Sequence, residues 1–131
     1  RETLNSPQSL QKPHPPILVG GSGEKKTLRI VARHANACNV RADSVEAVRH
    51  RFEVLRRHCE AIGRDYNEIE RTVLLRLDPG LNGERSAETV DQLGQLAEAG
   101  AQAAIGYLAG VDKPGALDVV GRDILPQVKA L

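Results

Sequence analysis

The sequence predicts an α/β fold in which parallel strands alternate with covering helices. Short apolar runs of strand length alternate with longer segments in which apolar residues recur every three or four positions. The resulting order, β-α-β-α-β-α-β-α, is typical of a parallel sheet with helical crossovers. Four βα units in 131 residues fit two architectures. One is a small open doubly wound sheet, and the other is half of an eight-stranded TIM-like (β/α)8 barrel, which needs about 250 residues.

A glycine-rich turn joins the first strand to the first helix. Residues 17–19 form a continuous apolar run, which predicts a strand buried on both faces. Residues 37–40 predict a second short strand. We expect one domain at residues 15–131, after a loop or linker at residues 1–14. Between the two strands, residues 24–35 predict a helix whose apolar face holds Leu28, Val31, Ala32 and Ala35.

The clearest helix begins near Asp43, which we predict as its N-cap because Glu46 follows three residues later. Apolar residues then recur at steps of three and four from Val45 to Ile62, and Gly63 ends the helix. The remaining elements are predicted as strands at 73–77 and 103–108 and helices that begin at Ser86 and at 114 or 115.

The last two helices have a weaker pattern. The inner face of the helix from Ser86 is predicted to hold Val90, Leu93 and Ala97. Pro126 should kink or break the final helix because proline lacks the N–H that an inner helical position needs. The residues predicted to face inward in that final helix are Leu117, Val120, Ile124 and Val128.

Composition and charge exclude several classes of function. Aromatic residues make up 2% of the chain, which argues against stacking platforms for bases or sugars. The 18 basic and 17 acidic residues are interspersed, so no basic face is predicted and nucleic acid is not the expected partner. No apolar run is long enough to span a membrane. The two cysteines lack the spacing of a disulfide framework or a metal site, and the expected location is the cytoplasm.

The glycine turn is the best candidate for a binding site. A strand that runs directly into a helix leaves unpaired main-chain N–H groups, which attract an anion together with the helix dipole. Lys25 and Lys26 would add positive charge, and a serine hydroxyl can donate to a phosphate. The alternative is a tight turn that needs glycine only for its backbone angles. The residues of the turn are Gly20, Gly21, Ser22 and Gly23.

The common nucleotide-binding glycine motifs do not match this turn. A Walker loop needs Gly-Lys-Ser/Thr, and Glu24 breaks that pattern. The dinucleotide motif needs a third glycine where Lys26 stands, and no acidic residue closes the second strand. Both ordinary nucleotide-binding interpretations are therefore disfavoured.

Two segments are similar to a known family. The stretches "PPILVGGSGEKKTLRIVARHANACNV" and "LRRHCEAIGRDYNEIERT" resemble the later part of the luciferase-like (bacterial luciferase superfamily) flavin and deazaflavin oxidoreductases. The resemblance is closest to the branch that uses coenzyme F420, and it covers residues 13–131. It implies that the chain is the C-terminal half of a TIM-like barrel, with the cofactor across the C-terminal ends of the strands.

The resemblance also implies roles for particular residues. In such proteins the turn at residues 20–23 would hold the cofactor phosphate with help from Lys25, and Asn39 and Val40 would end the next strand near the same cofactor. The implied activity is hydride transfer between a small-molecule substrate and the deazaflavin of F420, or flavin monooxygenation in relatives that use FMN. No catalytic residue carries over, because those residues usually come from the first half of the barrel.

Several alternatives remain open at the level of the sequence. Arg76 points away from Leu75 and Leu77, so it either contacts an anionic substrate group at the barrel mouth or occupies an ordinary boundary position. The lack of Met, with Arg1 first, predicts a fragment of a longer chain, with a processed or trimmed chain as the alternative. Because the catalytic groups of the family usually come from the first half of the barrel, the resemblance implies that such a fragment is inactive alone. Exposed edges of a half-barrel predict a homo-oligomer or a need for an N-terminal half. A non-catalytic β/α interaction module is the alternative from another functional class.

Overall fold

The computed structural model describes residues 7–130, which form an α/β fold with four parallel strands. The order in the sheet is β1-β2-β3-β4, the same as the order in the chain. A doubly wound sheet reverses its strand order at a switch point, so the consecutive order is that of a partial TIM-like barrel. The strands are β1 (Leu18–Gly20), β2 (Ala37–Arg41), β3 (Glu70–Leu77) and β4 (Ala103–Leu108).

The helices all return the chain across one face of the sheet. Right-handed crossovers between strands in chain order place every helix on the same side, which we call the covered face. No helix within residues 7–130 has the length and apolar character needed to cross a membrane. The helical segments are α1 (Thr27–His34), α2 (Val45–Glu60), a 3-10 turn (Tyr66–Glu68), α3 (Ser86–Glu98), α4 (Ala116–Val119), a π-helical turn (Val120–Ile124) and α5 (Leu125–Val128).

The core lies between the covered face and these helices. Cys38, Val40 and Val73 are fully buried from the sheet side, and they pack with Leu28 of α1 and Leu55 of α2. Burial of this apolar surface holds the short α1 in place, since a helix of eight residues is not stable alone.

The opposite side of the sheet, the uncovered face, carries the alternate residues of each strand. Large apolar side chains there are exposed: Leu18 at 50%, Ile105 at 45% and Tyr107 at 70%. The prediction that residues 17–19 are buried on both faces is therefore wrong, because the helices cover one face and β1 lies at the sheet edge. A complete barrel would bury this face in its interior.

Several predicted element ends are corrected. Helix α1 begins at Thr27 because residues 24–26 form a turn. The N-cap of α2 is Ser44, whose Oγ accepts from the N–H of Ala47 at 3.1 Å, whereas Asp43 binds Arg51 instead. Residues 7–14 of the predicted linker contain no helix or strand, while residues 1–6 and 131 lie outside the described residues.

The inward faces of the last helices also differ from prediction. In α3, Leu96 is buried in place of Ala97, which was predicted to face inward but is exposed. Leu117 is 67% exposed, while Ala116 and Val119 are buried. The π-helical turn that follows α4 places Pro126 near the start of a new helix, where a missing N–H is tolerated.

Candidate functional site

The glycine turn is fastened to the end of the neighbouring strand. The N–H of Gly21 donates to the carbonyl oxygen of Asn39 at 2.9 Å. The Ser22 Oγ accepts from the N–H of Arg41 at 3.1 Å. Because this hydroxyl acts as an acceptor toward the protein, its own proton is available to donate to another group. The two bonds hold the turn at the carboxyl edge of the sheet.

Glycine occurs at three positions of the turn for different physical reasons. Gly21 has a φ of +130°, which L-residues rarely adopt. A Cβ on Gly23 would lie 2.9 Å from Oγ1 of Thr27, so close packing requires glycine there. A Cβ on Gly20 would meet no atom within 4 Å. The fold explains the other two glycines, but the space in front of Gly20 is open and can admit a ligand.

The main-chain donors of the turn are unused within the described part of the chain. The N–H groups of residues 22–25 make no hydrogen bond to any group of residues 7–130. Helix α1 has no side-chain cap and no acidic residue in its first turn, and Lys25 and Lys26 precede it. Free donors, a helix dipole and two cations together make this a favourable site for an anion.

Asn39 lies on the uncovered face beside the open glycine, since Gly20 and Asn39 are register partners. The Oγ1 of Thr72 lies 3.1 Å from Oδ1 of Asn39 and 2.8 Å from the carbonyl oxygen of Cys38, which fixes the amide. Val40 is fully buried on the covered side, so only its main chain can reach a cofactor.

Sequence reasoning missed Thr72 and Arg41 as parts of this region. Thr72 pairs with Asn39 across β2 and β3, and Arg41 binds Ser22 through its N–H. Arg41 could have been found from the sequence, because side chains alternate along a strand and Asn39 and Arg41 therefore lie on the same face. The register between strands is needed to add Thr72, and no local pattern supplies it.

Arg76 lies on the uncovered face near the carboxyl edge, opposite Tyr107 of β4. A depression of about 360 Å³ there is lined by residues that include Arg41, Asp43, Arg76 and Tyr107. Hydrogen bonding from Arg51 holds the pKa of the Asp43 carboxyl below its usual range, and the charges of Arg51 and Arg41 lower it further. Arg76 forms no ion pair with residues 7–130, which leaves its guanidinium available.

Two other features lie away from this region. A cavity of about 660 Å³ is lined by residues of α2, by Tyr66, Asn67 and Arg71, and by residues 98–100 at the end of α3. None of its lining residues belongs to the glycine turn or to β2. Both cysteines are buried, and burial raises the pKa of the Cys38 thiol to about 11, so it is a poor nucleophile.

Comparisons with known proteins identify the fold. No protein-family model matches the chain, and no curated protein matches it. Among solved structures, the coenzyme F420 dependent tetrahydromethanopterin reductase from Methanopyrus kandleri has a TM-score of 0.67 at 15% identity over 86% of this chain. At the level of fold, the chain is a partial TIM-like barrel. It covers 51% of the reductase chain, so it spans about half of that protein.

A second solved structure is similar over a shorter region. DmoA from Hyphomicrobium sulfonivorans matches 66% of this chain and 18% of its own, with 23% identity and a TM-score of 0.45.

The residues present fit the phosphate that the sequence resemblance implies. The turn offers open space at Gly20, unpartnered N–H groups and a hydroxyl proton on Ser22. In the nearest carboxylate in sequence, Glu24, Oε1 lies 3.3 Å from Nε2 of His50 on α2. An anionic group is therefore compatible with the turn.

Proposed function

We propose that this chain is the C-terminal portion of a luciferase-like oxidoreductase that uses coenzyme F420 for hydride transfer. The observation that carries the proposal is the turn at residues 20–23, which opens toward the uncovered face and is followed by unused donors, since the N–H groups of residues 22–25 have no partner in residues 7–130. Ligands of parallel α/β folds bind at the carboxyl ends of the strands, and this turn lies there. The fold likeness to an F420-dependent reductase supports the same proposal.

In this proposal each residue of the turn has a defined task. The N–H groups of residues 22–25 and the Ser22 hydroxyl donate to the cofactor phosphate, and Lys25 adds charge. Gly20 lets the cofactor lie close to the sheet beside Asn39. When bound, the deazaflavin supplies the centre that accepts or donates the hydride.

The remaining assignments are proposals of the same kind. Arg76 would hold an anionic group of a small-molecule substrate in the depression it shares with Arg41 and Tyr107. FMN carries a phosphate that the turn can bind equally well, so an FMN-dependent monooxygenase is the alternative enzyme. A cytoplasmic location stays a prediction.

Activity in this proposal requires a second set of βα units over the uncovered face. Leu18, Ile105 and Tyr107 are exposed there, and both β1 and β4 are open sheet edges. The occupant would be either an N-terminal half in the same longer chain or a second copy, and it would supply the catalytic groups. Without it, we expect no turnover.

The test compares two glycines that lack any neighbour within 4 Å of an added Cβ and lack a positive φ, Gly20 and Gly121. Gly20→Ala should weaken binding of F420 and FMN by about tenfold, since a methyl group occupies the space left for the ligand. Gly121→Ala, in the π-helical turn, should leave binding unchanged. Neither variant should lower the urea midpoint, since alanine is more favourable than glycine inside a strand or a helix where space allows it.

Amide shifts of residues 20–25 in NMR titrations detect weak binding and locate it. Preference for F420 over FMN sharpens the proposal, and the reverse preference favours the monooxygenase. If F420, FMN and inorganic phosphate all leave these amides unshifted, the phosphate site is refuted and the non-catalytic interaction module becomes the better interpretation.

A further inference from the structure

Helix α1 presents a strongly basic outer face next to the glycine turn. Folding brings exposed basic side chains of α1 and of the turn before it together in two rows with a spacing of four residues, around an isoleucine that is 50% exposed. The interspersed charges of the sequence predicted no basic face, and the helical period creates one. The residues of this basic face are Lys25, Arg29 and Arg33 in one row and Lys26, Ile30 and His34 in the other.

The basic face is grooved and lacks acidic partners. A groove of about 280 Å³ lies along these six residues, and an adjoining depression of about 230 Å³ shares Arg29 and Arg33 with it. No acidic residue lines either one. Within residues 7–130, the lysines and arginines of the basic face form no ion pair, whereas Arg51, Arg64 and Arg85 each bind a carboxylate.

The arrangement of charge is unfavourable for α1 itself. Arg29 and Arg33 are a like-charged pair four residues apart within α1, which destabilises a helix by about 0.2 to 0.5 kcal/mol. Lys25 and Lys26 also lie at the positive end of the helix dipole, although Arg33 is favourable at the other end. Stability of α1 comes from its buried side and from Arg64, whose guanidinium donates to its last carbonyls.

The charges of the basic face destabilise α1 in the free protein, and binding of an extended anion to this face would explain why they are there. Arg29 and Arg33 lie about 6 Å apart along the axis of α1, and Lys25 precedes them in the turn before the helix, so the row extends over roughly 12 Å. An extended chain of about four residues spans that distance. The anion must therefore be long and flexible, it must begin at the phosphate site, and it must carry a negative charge every few ångströms.

We propose that the basic face of α1 binds an oligoglutamate tail that extends from the cofactor phosphate, as coenzyme F420 carries and FMN lacks. This inference rests on the proposed function. The tail's carboxylates pair with Lys25, Arg29 and Arg33, and its methylene groups pack on Ile30. A nucleic acid fits less well, because the lining of the groove contains no aromatic side chain on which bases could stack.

The experiment measures the affinity of the chain for four probes by fluorescence and NMR at low ionic strength. The probes are F420 with a long glutamate tail, F420 trimmed to its first glutamate, FMN, and a γ-linked pentaglutamate peptide. We expect the long tail to strengthen F420 binding about three- to tenfold, as two or three exposed ion pairs supply. The peptide alone should shift the amides of α1.

A matched pair of variants isolates the basic face. Arg29→Gln/Arg33→Gln should abolish the advantage of the long tail and the peptide-induced shifts, while FMN affinity changes less than about twofold. Arg49→Gln/Arg57→Gln removes the same charge from the exposed side of α2. This variant should keep the affinity advantage of the long tail and the peptide-induced shifts. Added salt should reduce the tail effect in the wild type.

The outcomes separate this inference from the proposed function. If trimmed F420 and FMN bind but tail length has no effect, the tail site is refuted and the phosphate site stands. If trimmed F420 and FMN fail to bind while the peptide shifts α1, the cofactor proposal is refuted and α1 retains an oligocarboxylate site. If single-stranded DNA of equal charge displaces the peptide and binds more tightly, the assignment to a glutamate tail is overturned.

Discussion

Helices α1 and α2 begin at equivalent places in the fold but in opposite ways. Each follows a parallel strand at the carboxyl edge of the sheet. At the start of α2, Ser44 accepts from the N–H of Ala47, and Glu46 lies in the first turn. At the start of α1 there is no side-chain cap and no acidic residue, and Lys25 and Lys26 stand where acids are favourable.

The difference shows which helix start is satisfied by the chain's own groups. Helix α3 also lacks a side-chain cap, but Glu88 lies in its first turn. An absent cap is therefore not evidence of a ligand on its own. Helix α1 combines an absent cap with cations, free amides and the open space at Gly20. That combination is the basis for proposing an anion as the partner of α1.

The largest expected effect comes from placing a carboxylate at each helix start. Ser22→Asp should weaken F420 and FMN binding about 100-fold, because it removes a donor and opposes the phosphate charge. Ser44→Asp should leave both affinities unchanged, since Asp is also a good N-cap. Fluorescence titration gives the affinities, and urea unfolding should show that neither variant is destabilised by more than about 0.5 kcal/mol. If Ser22→Asp bound F420 and FMN as tightly as the wild type, the start of α1 would not be a phosphate site and would not differ from the start of α2 in this respect.

A second experiment reverses the charge at each start. Lys25→Glu/Lys26→Glu should stabilise the free chain by about 1 kcal/mol, because acids favour the positive end of a helix, and should lower phosphate affinity. Glu46→Lys should destabilise the chain and leave phosphate affinity intact. Unfolding midpoints and NMR titration with FMN measure the two quantities on the same samples. If Lys25→Glu/Lys26→Glu lost both stability and phosphate affinity, these two lysines would be needed for the fold.

The order of elements was predicted well from the sequence, because the strands are short apolar runs and the helices repeat apolar residues every three or four positions. The fourth strand, Ala103–Leu108, matches its prediction, and the buried residues of α1 match theirs. The N-cap of α2 was missed because Asp43 and Ser44 are adjacent and both can cap. Only the backbone geometry decides between them, and it gives Ser44 the extended conformation that a cap needs.

The candidate site was predicted less completely than the fold. The glycine turn is a local motif and was visible in the sequence. The contact between Thr72 and Asn39 depends on strand register over 33 residues, and the open space at Gly20 depends on the absence of neighbours. Both are long-range properties that no local pattern encodes. The π-helical turn was missed for a related reason, because Pro126 predicts a break but not its geometry.

Removing the serine hydroxyl at each start should separate stability from binding. Ser44→Ala should cost about 1 kcal/mol of stability through the lost cap and leave FMN affinity unchanged. Ser22→Ala should lower FMN affinity about fivefold through one lost donor, with less than about 0.5 kcal/mol lost in stability. Urea unfolding and fluorescence titration report the two effects. Identical behaviour of the two alanine variants would contradict a division of roles between the helix starts.

The smallest expected effect is the pH dependence of the start of α2. Hydrogen bonds from its own N–H and from the Ser44 hydroxyl hold the pKa of Glu46 below its usual 4.5. Because the folded pKa is lowered, this carboxylate's contribution to stability is complete above the usual pKa and is lost as pH falls through the folded pKa. The difference in urea midpoint between wild type and Glu46→Gln should therefore be present at pH 7 and disappear as the pH falls below the folded pKa. In a Ser44→Ala background the same difference should shrink at pH 7, since one of the two donors is gone; an unchanged difference would show that Ser44 does not act on Glu46.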